Sequence, residues 1–277
     1  FDPVVQQAIN RVQTFEQTKQ VIDKARKLGY SSINIDLVYG LPLQTIRGVE
    51  ETIQKITALM PDRIAFYSYA HVPWKSKVQR RYTDEDLPAA SEKLAMYQRG
   101  KELLTAAGYK SIGMDHFALP DDPLFTAARE GRLNRNFMGY TTTNSKLIVA
   151  LGASSIGDAW GAFAQNEKMV ERYEELVNAG RLPLVNGHLL NGEDLRIREY
   201  ILDLMCRHET ILEEDPDYTT AVMARLEPMI ADGLVETDHS RITVTETGHS
   251  FIRNICSALD ARLHAAQNAG SVFSKAI

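Results

Sequence analysis

Hydrophobic and polar positions alternate between two periods along the first half of the chain. Pro3 to Lys27 repeats apolar residues at helical spacing, with Val4, Val5, Ala8, Ile9 and Val12 on one face and Gly29 as the stop. Ser32 to Val38 is largely aliphatic through Ile33, Ile35, Leu37 and Val38, the pattern of a buried strand, and Gly40-Leu41-Pro42 breaks it. A helix from about Thr45 to Met60 leads to a second strand, Arg63 to Tyr69. A helix from about Ala89 to Ala107 ends at Gly108 and feeds a third strand, Tyr109 to Gly113. A fourth strand is expected over Lys146 to Leu151, followed by the small-residue run Gly152 to Ser155. Repeated strand, helix, strand units predict an α/β fold with a parallel sheet and functional groups gathered at the C-terminal ends of its strands. Asp36, Tyr69, Ala70, His71 and Met114 fall at or near such ends.

Between the third and fourth strands, Ile112 to Thr142 is long, polar and without a governing period, which reads as a functional loop. From about Asn166 the pattern changes to helices: Asn166 to Ala179, Gly192 to His208 and Tyr218 to Asp232. Gly233 to Glu236 and Arg241 to Val244 then flank the polar turn Thr237 to Ser240, a hairpin signal. A last helix, about Glu246 to Gln267, places Phe251, Ile252, Ile255 and Leu259 on one face. Helices closed by such a hairpin predict a winged-helix-like arrangement.

Composition narrows the function classes. The 277 residues are 44% hydrophobic and 24% charged with a net charge of −5, as expected of a soluble, cytoplasmic globular protein. No apolar run reaches the ~18 residues of a membrane span. Two cysteines, Cys206 and Cys256, about fifty residues apart, form no disulfide framework and sit in apolar helical patterns as small buried hydrophobes would. DNA binding needs a basic stripe, whereas the winged region carries Glu209, Glu213, Glu214, Asp215 and Asp217, so no nucleic-acid partner is expected.

Several residues carry candidate chemistry. Asp36 lies in a run of aliphatics, where an unpaired carboxylate would cost several kcal/mol, so it is expected either to cap the next helix or to meet a ligand. His71 to Arg81 combines Trp74 with Lys75, Lys77, Arg80 and Arg81, either a solvated basic loop or a surface that attracts an acidic substrate. Arg132 and Arg135 add cations in the long loop. His116 and Tyr140 can each donate and accept hydrogen bonds, as substrate-positioning groups or as packing residues with locally satisfied polar tips.

FDPVVQQAINR (Phe1 to Arg11), NIDLVYGLP (Asn34 to Pro42) with Gln44-Thr45, PDRIAFYSYAH (Pro61 to His71), the segment Ile112 to Thr142, FIRNIC (Phe251 to Cys256) and the closing Phe273 to Ile277 together resemble oxygen-independent coproporphyrinogen III oxidases. These are radical S-adenosylmethionine enzymes. The form Gly139-Tyr140-Thr141-Thr142 resembles the oxidases, not the related haem-handling branch with its Asn-x-x-Tyr-Trp pattern.

The resemblance implies the later strands of an incomplete (β/α)6 TIM-like barrel with its substrate loop over residues 1–165. It implies a mostly helical C-terminal domain over 166–277 that covers the barrel mouth. The family's Cys-x3-Cys-x2-Cys motif, which holds a 4Fe-4S cluster, is absent. The chain is therefore expected to be a C-terminal fragment, inactive alone, with no metal ligands of its own.

As cofactor contacts the resemblance implies Arg11, Asp36, Ala70 and Ile156 for S-adenosylmethionine. A guanidinium suits the methionine carboxylate bidentately, and a carboxylate accepts from ribose hydroxyls or an ammonium group. Ala70 and Ile156, ordinary core residues otherwise, are implied as backbone and apolar contacts to adenine. For the parent protein it implies decarboxylation of two propionates of coproporphyrinogen III to vinyls, giving protoporphyrinogen IX by way of a 5′-deoxyadenosyl radical. His71, Arg80, Arg81, His116, Arg135 and Tyr140 are then the substrate candidates. An electron donor for the cluster and a monomeric state complete the expectation. The alternative is a haem-binding or haem-delivery protein that keeps the fold without the oxidase reaction.

Overall fold

The computed structural model describes residues 1–74, 76–213 and 215–265. Lys75, Glu214, the end of the last helix to Gln267 and the block Phe273 to Ile277 lie outside the described residues. Two compact units are present: Phe1–Glu130 with His249–Asn254 and the described residues from Arg262 on, and Gly131–Gly248 with Ile255–Ala261.

The first unit opens with α1 (Pro3–Ala8) and α2 (Phe15–Lys27), where one helix was expected. The chain breaks at Asn10, which adopts φ 54°, and restarts at a capping box in which Thr14 and Gln17 satisfy each other's backbone amides. Val5 is consequently buried, while Val4 is 58% and Val12 69% exposed, so the single apolar face does not form. Next come β1 (Asn34–Tyr39), α3 (Ile46–Thr57), β2 (Arg63–Ser68) and α4 (Ala90–Ala106). The strand pair β1 and β2 is parallel, as the strand, helix, strand pattern requires.

The third strand, β3 (Lys110–Gly113), does not join β2 directly. Met114 at φ 47° and Asp115 turn the chain back into β4 (His116–Ala118), which inserts between them in the order β1-β2-β4-β3, antiparallel to both neighbours. The sheet is thus mixed, correcting the expectation of parallel strands throughout. The long segment is also structured: α5 (Pro123–Arg129) follows, anchored by buried Asp122. That carboxylate accepts from Leu124 N at 2.7 Å, Arg63 Nε at 2.8 Å and Ser32 Oγ at 3.1 Å.

Register divides the sheet into two faces. Leu37, Tyr39, Ile64, Phe66 and Phe117 turn to one side and form a buried cluster with Val49, Ile53 and Ile56 of α3 and Met96, Tyr97 and Leu104 of α4. On the other side Asp36, Ala65 and His116 stand in one row across three strands, because they are direct partners in the ladder. Tyr67 stands two residues further along β2 on the same face.

The second unit begins with the hairpin of β5 (Asn134–Asn136) and β6 (Gly139–Thr141). The strand expected over Lys146 to Leu151 is absent. Ile148 makes a single bridge to Asp158, while Leu147, Val149 and Leu151 are 63%, 72% and 82% exposed. An aliphatic run is strand-like locally, but without a pairing partner it gains no ladder. The sheet is built instead by β7 (Ile156–Asp158), β8 (Ala162–Asn166) and β9 (Leu184–Leu189), with α6 (Val170–Asn178) between the last two. Of these, β9 lies where helices and connections alone were expected, and β7 and β8 fill the stretch between Ser155 and Asn166, to which no element was assigned.

Beyond them run α7 (Gly192–Arg207), β10 (Glu209–Ile211), α8 (Pro216–Ala231), β11 (Val235–Asp238) and β12 (Arg241–Val244). The expected hairpin β11 and β12 is antiparallel and gains β10 as a third strand on β12. The last helical stretch, expected as one helix, divides into α9 (Ile252–Leu259) and α10 (Ala261–Ala265). Among the described residues no helix is long and apolar enough to cross a membrane.

Candidate cofactor and substrate site

Arg11, in the connection between α1 and α2, and Asp36, on β1, open onto one cavity of about 270 Å³ in the first unit. Asp36 is exposed, not buried among aliphatics, because β1 is the edge strand of the sheet and its outward row faces away from α3 and α4. The desolvation cost expected of it is therefore absent. Nor does it cap the next helix: Thr45 Oγ1 accepts from Gly48 N at 3.1 Å and does that work. Its nearest hydrogen bond is local, from Asn34 Nδ2 at 2.7 Å.

Tyr67 completes this cavity and was missed by the sequence reading. Burial lifts its phenol above the ordinary value, the negative charge of Asp36 adds to the rise, and Arg11 opposes it. The missing signal was register. A period of two places Tyr67 on the face of Ala65, but only the pairing of Ala65 with Asp36 says that this is the face of the acid.

His71 lies just past β2 in a polar cluster. Tyr69 Oη is 3.3 Å from His71 Nδ1, Tyr69 and Tyr82 share a short hydrogen bond, and His71 Nε2 is 3.5 Å from Asp84. The basic segment is ordered around Gln79, which donates to the Ala70 carbonyl at 3.2 Å and accepts from Val72 N at 2.6 Å. Arg80 Nε donates to the Pro73 carbonyl at 2.9 Å, and Arg80 and Arg81 are exposed. Ala70 is exposed and outside the Arg11 cavity.

His116 Nδ1 is 2.7 Å from Asp115 Oδ1, and Arg253 Nη2 is 3.1 Å from the other carboxylate oxygen. Burial opposes the charge on Asp115, but His116 and Arg253 outweigh it and hold the carboxyl below its ordinary 3.8. Ladder pairing with Ala65 sets His116, and with it this dyad, in the row of Asp36 and Ala65.

Arg135, Tyr140 and Ile156 belong to the second unit. Tyr140 is buried and its hydroxyl donates to the Met205 carbonyl at 2.9 Å, so its polar tip is used in packing. Arg135 Cζ lies 4.9 Å from the Tyr140 ring, and its Nη1 is buried without a hydrogen-bond partner. Ile156 is half-buried on β7.

Among the described residues no group of three His, Cys, Asp or Glu side chains is placed to hold a metal ion. Burial pushes the thiols of Cys206 up to about 11 and Cys256 up to about 12, so neither is a thiolate at neutral pH. These residues do not fit an iron–sulfur cluster. The cavity of Arg11, Asp36 and Tyr67 does fit S-adenosylmethionine in donor chemistry: a guanidinium for a carboxylate, a carboxylate for hydroxyl or ammonium groups, and an aromatic wall.

No family model matches the chain. Individual relatives do. It is 41% identical over 271 residues to oxygen-independent coproporphyrinogen III oxidase of Pseudomonas aeruginosa, covering 95% of this chain and 59% of that protein. To the protein of the same name from Thermostichus vulcanus it is 42% identical, covering 100% of this chain and 87% of the relative. A solved structure of coproporphyrinogen III oxidase (HemN) from Escherichia coli, a radical SAM enzyme, superimposes with a TM-score of 0.87 at 38% identity over 95% of this chain and 62% of that one. The chain thus spans about three fifths of the Pseudomonas relative and more of the Thermostichus one. With identity of about two fifths extending over the whole chain and 87% of the Thermostichus relative, the chain belongs to the oxygen-independent coproporphyrinogen III oxidase family.

Proposed function

We propose that this chain forms the S-adenosylmethionine-binding and substrate-facing part of an enzyme that oxidatively decarboxylates two propionates of coproporphyrinogen III, giving protoporphyrinogen IX. The observation that carries the reading is the meeting of Arg11, Asp36 and Tyr67 in one cavity, within a chain of this family. Arg11 pairs with the methionine carboxylate, and Asp36 accepts from ribose hydroxyls or the ammonium group. Ala70 and Ile156 are adenine contacts by resemblance alone. When bound, S-adenosylmethionine supplies the one-electron chemistry of the reaction, and the cluster and an electron donor serve it from outside these residues. On the substrate side, exposed Arg80 and Arg81 attract propionates. His116, oriented by Asp115, offers a hydrogen bond to one of them, with His71 and Arg135 as further candidates, whereas the Tyr140 hydroxyl is taken up by the Met205 carbonyl.

The same reading takes β1, β2 and β3 as later strands of an incomplete (β/α)6 barrel, with β4 inserted as a hairpin strand. Support comes from the parallel β1 and β2 pair with α3 on one face. It takes α7, β10, α8, β11 and β12 as a winged-helix-like module, supported by their order and by the three-stranded sheet. The functional division at 165/166 is distinct from the compact units, which part at 130/131.

Calorimetric titration of the chain with S-adenosylmethionine tests the cofactor reading. Asp36→Asn and Arg11→Ala are each expected to weaken binding about tenfold or more, the loss of one charge-assisted contact. Affinity unchanged in both variants would sink it.

A further inference from the structure

The turn between β7 and β8 carries a cluster that the reading above leaves unused. Trp160 adopts φ 60°, a left-handed conformation that a bulky aromatic residue rarely takes. It is held there from two sides. Asp158 Oδ1 accepts from Trp160 N at 2.9 Å, and Arg198 Nη1 donates to the Trp160 carbonyl at 2.8 Å. The same guanidinium grips the buried Asp158 carboxylate through two nitrogens, at 3.0 and 2.5 Å. Such strain at a site pinned by surrounding bonds points toward use.

Around Trp160 the side chains form one continuous patch. Arg198 Cζ lies 4.3 Å from the indole centroid and 5.0 Å from that of Phe163. Lys146 Nζ lies 4.6 Å from the indole. Phe137 meets Phe163 edge to face at 5.1 Å and is 56% exposed. The charge of Arg198 is spent on Asp158, so Lys146 is the cation the patch offers. An exposed ammonium over a ring gains only ~0.5–1 kcal/mol. An arriving anion can therefore draw Lys146 aside and leave the indole face open. A purely apolar partner would have no use for the lysine, and a bare anion none for three aromatic rings. The combination suits a ligand of flat aromatic rings that also carries carboxylates.

We propose that Lys146, Trp160, Phe163 and Phe137, braced by Arg198, form a binding surface for a polycarboxylate macrocycle of pyrrole rings. Resting on the proposed function, that occupant is a coproporphyrin-type tetrapyrrole whose ring stacks on Trp160 and whose carboxylate pairs with Lys146.

The test is a titration of the chain with coproporphyrin III, the stable oxidised macrocycle, followed by its Soret band and by tryptophan fluorescence. A Trp74→Phe background leaves Trp160 as the single tryptophan, since the sequence has 2. Trp160→Gly removes the ring while suiting the left-handed backbone, and Lys146→Met removes the charge without touching the Asp158 pair. Quenching of Trp160, with affinity about tenfold weaker in each variant, is expected. No binding, equal affinity in all three proteins, or equal competition by AMP, which would mark a nucleotide surface, overturns it. Anaerobic vinyl formation by the full-length protein is measured beside it. Vinyl formation with a variant-insensitive titration overturns the surface alone. Trp160-dependent binding without vinyl formation overturns the oxidase reading and leaves the surface standing.

Discussion

Asp115 shows how one side chain ties local charge to the candidate site. Its carboxyl is held below 3.8 because His116 and Arg253 outweigh the penalty of burial. A depressed carboxylate adds stability that is fully present above its unfolded value and is lost as pH falls through the lower folded value. Arg253→Gln removes one of the two partners and raises the folded value toward 3.8. Acid unfolding, followed by circular dichroism below about pH 4, is then expected to begin at higher pH than in the parent chain. Because Arg253 is largely exposed the effect is small, under about 1 kcal/mol. An unmoved acid midpoint would show that the pair contributes nothing. At the same scale, chemistry at Asp36 was visible in the sequence but its environment was not. Aliphatic neighbours in sequence lie on the opposite face of the strand, so they do not desolvate it.

Among elements, α4 illustrates a rule that fails for a physical reason. Gly100 sits inside this helix, where alanine is intrinsically better by about 1 kcal/mol. A Cβ there would run into the Phe66 ring and press on Ile53 Cδ1 at 3.2 Å. Gly100→Ala is thus expected to destabilise by about 1–3 kcal/mol net, read as a lower urea midpoint, because close packing of α4 on β2 outweighs propensity. A raised midpoint would mean that Phe66 moves freely. β1, β2, α3 and α4 were legible to within three residues, since β1, α3 and α4 carry a Gly or Thr signal at an end and β2 a compact apolar run. The break between α1 and α2 was legible in principle, in Thr14 and Gln17, but helical spacing ran across it and masked the cap. The β3 and β4 hairpin was not legible. Its turn needs Met114 in a left-handed conformation, which no local preference announces.

For the whole molecule, the chain covers 59% of the Pseudomonas relative and 62% of the solved HemN structure, and its described residues provide no ligand set for a cluster. The purified chain, given S-adenosylmethionine, reductant and coproporphyrinogen III under anaerobic conditions, is expected to form no vinyl product above background. Turnover by this chain alone would refute the assignment of the cluster to residues outside it. The sequence by itself determined the family, the acid on its strand, the helices with strong apolar faces and the cations of the basic segment. Each of these is written in residue type and near-neighbour spacing. Only the tertiary structure decided which face Asp36 occupies, that Tyr67 and Arg11 share its cavity, and that Lys146 to Leu151 forms no strand while Ala162–Asn166 does. Those outcomes depend on pairing between segments distant in sequence, and a hydrogen-bond ladder or a shared cavity exists only once the partner strand has arrived.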